Sequence, residues 1–357
     1  MKQLFTRIVR QTLSLINRIA RLYHPQTLKE KGRIWGSGLA LVTLVVVVFF
    51  VGLYWSRIPE PFDVRTNTRE TLAGMELEPV TGSYTTATLL RTIETLLLKP
   101  GGYLSNDVMP PSLFLDNMPN WEFGVLTQVR DLARSLRNDM SRSQSQSLEN
   151  KDLAIAEPQF NYSNDSWIFP STEGEYRQGI EALKRYLTDL SLKNRESGQF
   201  YARADNLRDW LAVVEKRLGS LSQRLSASVG QERINTDLAG DPEAAQSTAT
   251  AERLVVQTPW LEIDDVFYEA RGSTWALIHF LQAVEIDFHD ILTKKNALVS
   301  LRQIIRELEA TQQPISSPMV LNGKGFGIFA NYSLVMASYV SRANAAVIDL
   351  RNLLSQG

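Results

Sequence analysis

Cysteine is absent from this chain of 357 residues. That absence removes disulfides, thiolate metal sites, iron–sulfur clusters and cysteine nucleophiles together. Histidine is nearly as scarce, with three residues in all. His279 and His289 stand ten positions apart, about 15 Å along a helix axis and too far to share one ion. Glu285 and Asp290 lie near His289, but so few ligands on one face do not make a metal site. G-x-S-x-G, H-E-x-x-H and a defensible Ser/His/Asp order are also missing. No metal, cofactor or catalytic residue is therefore assigned. Period-two alternation of any length is lacking as well, which leaves an all-α body.

Net charge is small, with 38 Lys and Arg against 39 Asp and Glu, but it is unevenly spread. Residues 1–33 hold eight of the basic groups and one acid, leaving 30 basic and 38 acidic residues in the remainder. A mildly acidic body argues against nucleic-acid binding, which needs a basic face for the phosphates.

Long apolar runs are rare here, with one exception. Ile34–Ser56, "IWGSGLALVTLVVVVFFVGLYWS", contains no charge in 23 residues. As a helix it covers roughly 34 Å, enough for a hydrocarbon core of about 30 Å. Arg33 and Trp35 stand at one end, and Tyr54, Trp55 and Arg57 at the other, where aromatic and basic side chains prefer the membrane interface. The apolar stretch exceeds a signal-peptide core and no small-x-small site follows, so a retained anchor is expected. The basic residues before it place the N-terminus in the cytoplasm and the body outside. Nucleotides are scarce there, so no nucleotide is expected as a ligand. Membrane lipids are the first expected partner.

Before the span, Leu4, Ile8, Leu15, Ile19 and Leu22 form one stripe among arginines. Such a segment suits the anionic inner leaflet, or else docks a cytoplasmic protein. After the span, residues 57–83 are turn-rich and read as a stalk. A helical domain is expected over 84–228. Its stripes include Tyr176, Ile180, Leu183, Leu187 and Leu190, then Phe200, Ala204, Leu207, Leu211, Val214, Leu218, Leu221 and Leu225. These steps of three and four are coiled-coil-like. Joined only by "NRESG", the two helices are expected as an antiparallel hairpin, and Thr172 with Glu175 reads as a capping box. Residues 229–257 are small and polar and read as a flexible linker. A second helical block over 258–357 ends in a stripe at Tyr332, Met336, Tyr339, Ala343, Ala346, Leu350 and Leu353. Such seams fill within one chain or through self-association.

Three glycines surround Lys324 in "VLNGKGFGIFANY". A phosphate-binding P-loop needs Lys after its last Gly and then a hydroxyl residue, whereas Gly325 follows Lys324; in the dinucleotide pattern Ile328 replaces the third Gly. A hairpin turn feeding the last helix is expected instead. "ESGQFYARA", from Glu196, lacks the elements that would make its Glu a wall-cleaving acid. The acidic "EIDD" near Trp260 reads as a solvated helix start.

Longer phrases carry more information. "KPGGYLSNDVMPPSLFLDNMPNWEFGVLTQVRDLARSLRNDMSRSQSQS", "AEPQF" and "SWIFPSTEGEYRQGI" closely resemble a family of single-pass inner-membrane proteins of proteobacteria, known only as a domain of unknown function. The resemblance covers most of the chain. It implies a Gram-negative source and a periplasmic body, and it brings no catalytic residues. The resulting reading is a membrane-anchored, non-enzymatic envelope scaffold, assembly or accessory protein. It would bind another envelope protein or a second copy of itself. The alternative is a periplasmic hydrolase acting on cell-wall material through carboxylates.

Overall fold

The computed structural model describes residues 7, 10, 11, 14, 17, 21–142, 149–192, 198–234, 253–315, 317, 319–325 and 327–356. The chain divides into two compact units, Met1–Trp55 and Ser56–Gly357.

In the first unit, helix α1 covers Pro25–Trp55 and is interrupted at Gly32, whose φ of 82° and ψ of 174° are not helical. Lys29–Trp55 is long and apolar enough to cross a membrane, and its most apolar stretch is not buried in the protein. The Tyr23 and Thr43 hydroxyls meet across the Gly32 break. Of the N-terminal stripe, Leu22 is exposed, while Leu4, Ile8, Leu15 and Ile19 lie outside the described residues.

The second unit is a helical bundle. Its helices are α2 (Val64–Gly74), α3 (Ser83–Leu98), α4 (Asn117–Ser135, extended by a π turn over Leu136–Met140), α5 (Lys151–Phe160), α6 (Thr172–Ser191), α7 (Ala204–Ser226), α8 (Ile263–Asp287), α9 (His289–Lys294), α10 (Leu298–Ala310) and α11 (Tyr332–Ser355). Strands β1 (Gln231–Ile234) and β2 (Arg253–Val256) pair antiparallel, Gln231 opposite Val256. They occupy the two ends of the stretch expected to be a linker.

Two long helices, α4 and α8, cross at the centre of the bundle. Gly124 and Gly272 make that crossing possible. A Cβ at Gly272 would sit 2.0 Å from the Trp121 carbonyl oxygen, and one at Gly124 would sit 2.0 Å from that of Glu269. Backbone meets backbone, and no side chain fits between. Gln128 Nε2 donates to Ser273 Oγ at 2.7 Å beside the crossing. Trp121 and Trp275, both buried, meet edge to face with centroids 5.4 Å apart.

Other helices surround this pair. α3 packs on α8 and α6, α6 lies along α5, and α7 runs along α11, which also contacts α10. Residues 57–83, expected to form a stalk, instead contribute α2 to the body: Asp63 caps it by accepting from the Thr66 N–H at 2.7 Å. Its buried Leu72 packs with Ala87 of α3 and Leu187 of α6. The sequence break at 229–257 likewise does not divide the core, because α8 after it packs on α3 and α4 before it.

The α6 stripe and the α7 stripe from Leu207 onward are buried as their spacing requires, but they do not fill one another. α5 and α3 cover α6, and α11 covers α7. The connection runs from residue 192 to 203, longer than five residues, and so it does not force a hairpin. Phe200 lies in that connection, its ring 5.6 Å from that of Phe288. The capping side chain of α6 is Ser171, which accepts from the Gly174 N–H at 3.2 Å, one residue earlier than expected. In α11 the buried residues are Ser333, Met336, Ala337, Val340, Ala343, Val347, Leu350 and Leu354. Tyr332, Tyr339, Ala346 and Leu353 are half-buried on its flank. α11 packs on two helices at once, which rotates its buried face from a simple heptad seam.

The crossing gives a signed prediction. Gly272→Ala should destabilise the bundle by about 3 kcal/mol or more, since backbone atoms cannot yield as a core side chain does. Gly219→Ala in α7, where the new Cβ meets only Asn344 Nδ2 at 3.6 Å, should instead stabilise by roughly 0.5–1 kcal/mol through helix propensity. Chemical denaturation of the two variants checks both signs.

Candidate functional site

The segment that follows α1 enters the body at Phe62. Its ring stacks on His279 at 4.0 Å and meets Trp275 at 5.9 Å. Its backbone N–H donates to His279 Nε2 at 3.0 Å. On the other side of the ring, Nδ1 lies 2.7 Å from the Trp275 carbonyl oxygen. That carbonyl can only accept, so Nδ1 carries the proton and Nε2 is the acceptor. His279 is fully buried, and burial pushes its pKa down to about 4. It is a neutral clasp holding the segment after the apolar helix. With both nitrogens engaged, it is not a metal ligand or general base.

The membrane-interface residues named from the sequence flank the uncharged run of α1. Arg33 and Trp35 follow the Gly32 break, and the Lys31 ammonium lies 4.8 Å from the Trp35 ring centroid. Tyr54 and Trp55 close the helix, and Arg57 follows it.

The glycine-rich stretch forms a hairpin, as its composition suggested, but a wider one. Asn322 pairs with Asn331, and Gly323 N–H donates to the Ala330 carbonyl at 3.0 Å. Gly327 N–H donates to the Lys324 carbonyl. Asn331 then caps α11 by accepting from the Leu334 N–H at 2.8 Å. A phosphate cradle needs its N–H groups free to converge on an anion, and two of these are spent inside the loop. Glu196 lies outside the described residues.

Two buried carboxylates take structural roles. Glu122, fully buried, pairs with the equally buried Lys99 at 2.6 Å. It also accepts from the Leu104 and Ser105 N–H groups and the Ser105 hydroxyl. Burial pushes the Glu122 pKa up and the Lys99 pKa down, each opposed by the other's charge. The pair fastens the loop after α3 onto α4. Asp287 ends α8 and accepts from the Gly82 N–H at 2.8 Å and from the Thr85 N–H and hydroxyl at 2.7 Å. It caps α3, whose own residues offer no side-chain cap, although burial pushes its pKa up to about 6. Asp265 is also raised to about 6, by burial first and then by Asp116, Asp264 and Glu262. Asn120 Nδ2 donates to it at 2.7 Å. His289 is exposed, and Glu285 pairs with Arg302 at 2.8 Å. Among the described residues, no three His, Asp or Glu side chains converge as metal ligands would.

A different surface has the properties of a contact site. Two loops, 108–114 and 167–169, leave large apolar side chains in water. Phe169 is 98% exposed and Phe114 71%, with Met109, Leu113, Trp167 and Ile168 also exposed. Asn106 fastens one loop to the other, its Nδ2 donating to the Ser166 carbonyl and to Glu173 Oε2, both at 2.9 Å. Exposed apolar groups of this size on two loops tied together mark a surface that something covers. Tyr103 and Leu104 ahead of the first loop and Ser112 within it are buried, whereas Met109, Leu113 and Phe114 are not.

A family model described as an uncharacterized protein conserved in bacteria, DUF2333, matches residues 28–357. The chain belongs to that family. No curated protein and no solved structure matches it.

The clasp gives the prediction here. The His279 pKa lies below that of an unfolded chain, about 6.5. Its contribution is therefore complete above pH 6.5 and is lost as pH falls toward 4, by about 3 kcal/mol in all. Imidazole nitrogen NMR should show neutral His279 with the proton on Nδ1 at pH 6. A protonated ring at that pH contradicts the assignment.

Proposed function

We propose that this family member is a membrane-anchored periplasmic protein whose helical body is a non-enzymatic scaffold, assembly or accessory subunit for another envelope protein. The exposed apolar tip at Phe114, Trp167, Ile168 and Phe169 carries this reading. Clustered aromatic and aliphatic groups of this kind are what the buried centre of a protein interface uses. The anchor is α1, with cytoplasmic basic residues before it and the body outside. Phe62, in the segment that follows that helix in sequence, is held on His279.

A wall-cleaving hydrolase would need two carboxylates facing one cleft at about 5–9 Å. Among the described residues lining four cavities of the body, Asp287 is the single carboxylate, and it is committed to capping α3. This favours the binding role.

Two measurements test the proposal in cells. Alkaline phosphatase fused after Gly357 should be active, since it folds only outside the cytoplasm; activity confined to a cytosolic reporter overturns the orientation. A photo-crosslinking residue at Phe169 should capture one reproducible envelope protein that the same residue at Arg306 does not. With the crosslinker kept at position 169, replacing both Phe114 and Ile168, each exposed, with Ser should abolish that capture with little change in thermal stability. Equal capture at the two positions overturns the partner surface.

A further inference from the structure

Nearly every buried or half-buried arginine of the body meets a carboxylate or several carbonyls. Arg217 grips Asp131 through two nitrogens at 2.7 and 3.0 Å, Arg224 grips Glu269, and Arg130 reaches two carbonyls. Arg271, on α8 one residue before Gly272, is different. It is 7% exposed, forms no ion pair among the described residues, and leaves its buried Nε without a partner. Among the described residues the guanidinium makes one hydrogen bond, from Nη2 to the Gln312 carbonyl at 3.0 Å. Burial lowers its pKa, with only the Tyr268 hydroxyl opposing.

This guanidinium lines a cavity of about 320 Å³, between α8, α10 and α11. The walls are Phe267, Val335, Met336, Tyr332 and Tyr339, with Arg271 the only charged side chain among the described lining residues. The volume holds about ten water-sized groups, at the small end of ligand sites. Tyr332 and Tyr339 belong to the flank of α11 that its neighbours leave uncovered.

Five donors in a fixed planar fork, largely desolvated and unpaired, are costly to keep inside a fold. A carboxylate supplied from outside removes that cost with matching bidentate geometry. A single cation in an apolar chamber suits a monoanion with an apolar body better than a phosphate dianion. Gln312 steadies the fork in advance, since its own Nε2 donates back to the Arg271 carbonyl at 3.1 Å and to Thr274 Oγ1 at 2.8 Å.

We propose that this cavity is a binding site for a small carboxylate with an apolar tail or ring, held through Arg271. The assignment rests on no particular side of the membrane and is independent of the apolar tip.

The test uses the full chain in lipid nanodiscs, with octanoate and benzoate as probes and octanol and octylamine as controls. At least one carboxylate should raise the melting temperature in a saturable manner, and the controls should not. Arg271→Gln should weaken that binding by about tenfold or more, as loss of a charged hydrogen-bond partner does. Val335→Trp, which fills the chamber without touching the charge, should abolish it. Arg271→Met should raise the melting temperature of the ligand-free protein, as removal of an unpaired buried charge does. The site is overturned if neither carboxylate shifts the transition, if octanol or octylamine shifts it equally, or if the shift survives in Val335→Trp. Strong destabilisation by Arg271→Met would make the arginine a structural tie to Gln312 instead.

Discussion

Backbone contact between α4 and α8 is the constraint on which the body depends. With Gly272 against the Trp121 carbonyl and Gly124 against that of Glu269, the two helices come closer than any side chain permits. The approach sets the neighbouring geometry. Trp121 and Trp275 are forced edge to face, and Trp275 in turn presents its carbonyl to His279, which receives Phe62. The residues following the apolar helix are thus held by a chain of contacts that starts at two glycines. Arg271 is the neighbour of one of them, so the charged cavity inherits its position from the same crossing.

Ionisable groups inside the bundle divide according to whether their partners are complete. The Lys99–Glu122 pair is closed: its carboxylate takes an ammonium, two backbone N–H groups and a hydroxyl. Removing one member of such a pair leaves a buried charge and is expensive, whereas the pair itself adds little net stability. Its use lies in fixing the loop that leads to the exposed apolar tip. Asp287 is complete in another way, since α3 lends it the free N–H groups of a helix start, where negative charge is favoured. His279 avoids charge altogether. Arg271 alone among these groups lacks an opposite charge, and an open chamber lies where that charge would sit.

The all-α class, the apolar helix and the stripes of α6 and α7 were legible in the sequence because periodicity reports burial directly. Leu183, Leu187, Leu207 and Leu218 are buried as their spacing requires. Periodicity does not say which helix covers a stripe, and α7 turned to α11 rather than to its sequence neighbour α6. α2 was read as stalk because its Thr and Arg residues hide a short apolar stripe, although Asp63 with Thr66 is a visible cap. α5 was missed for its length and Pro158, despite the Asn150 cap ahead of it. The functional surfaces were harder still. Phe169 and Arg271 are ordinary in sequence, and only three-dimensional neighbours reveal that one is uncovered and the other unpaired.

Native-state hydrogen exchange measures the central claim most directly. If the crossing organises the body, the amides of Val125–Leu132 in α4 and Ala276–Val284 in α8 should exchange most slowly, opening only when the whole bundle unfolds. The outer pair α7 and α11 should open earlier, at lower free energy. Should α7 and α11 keep their protection after α4 and α8 have exchanged, the glycine crossing is not the foundation of this fold.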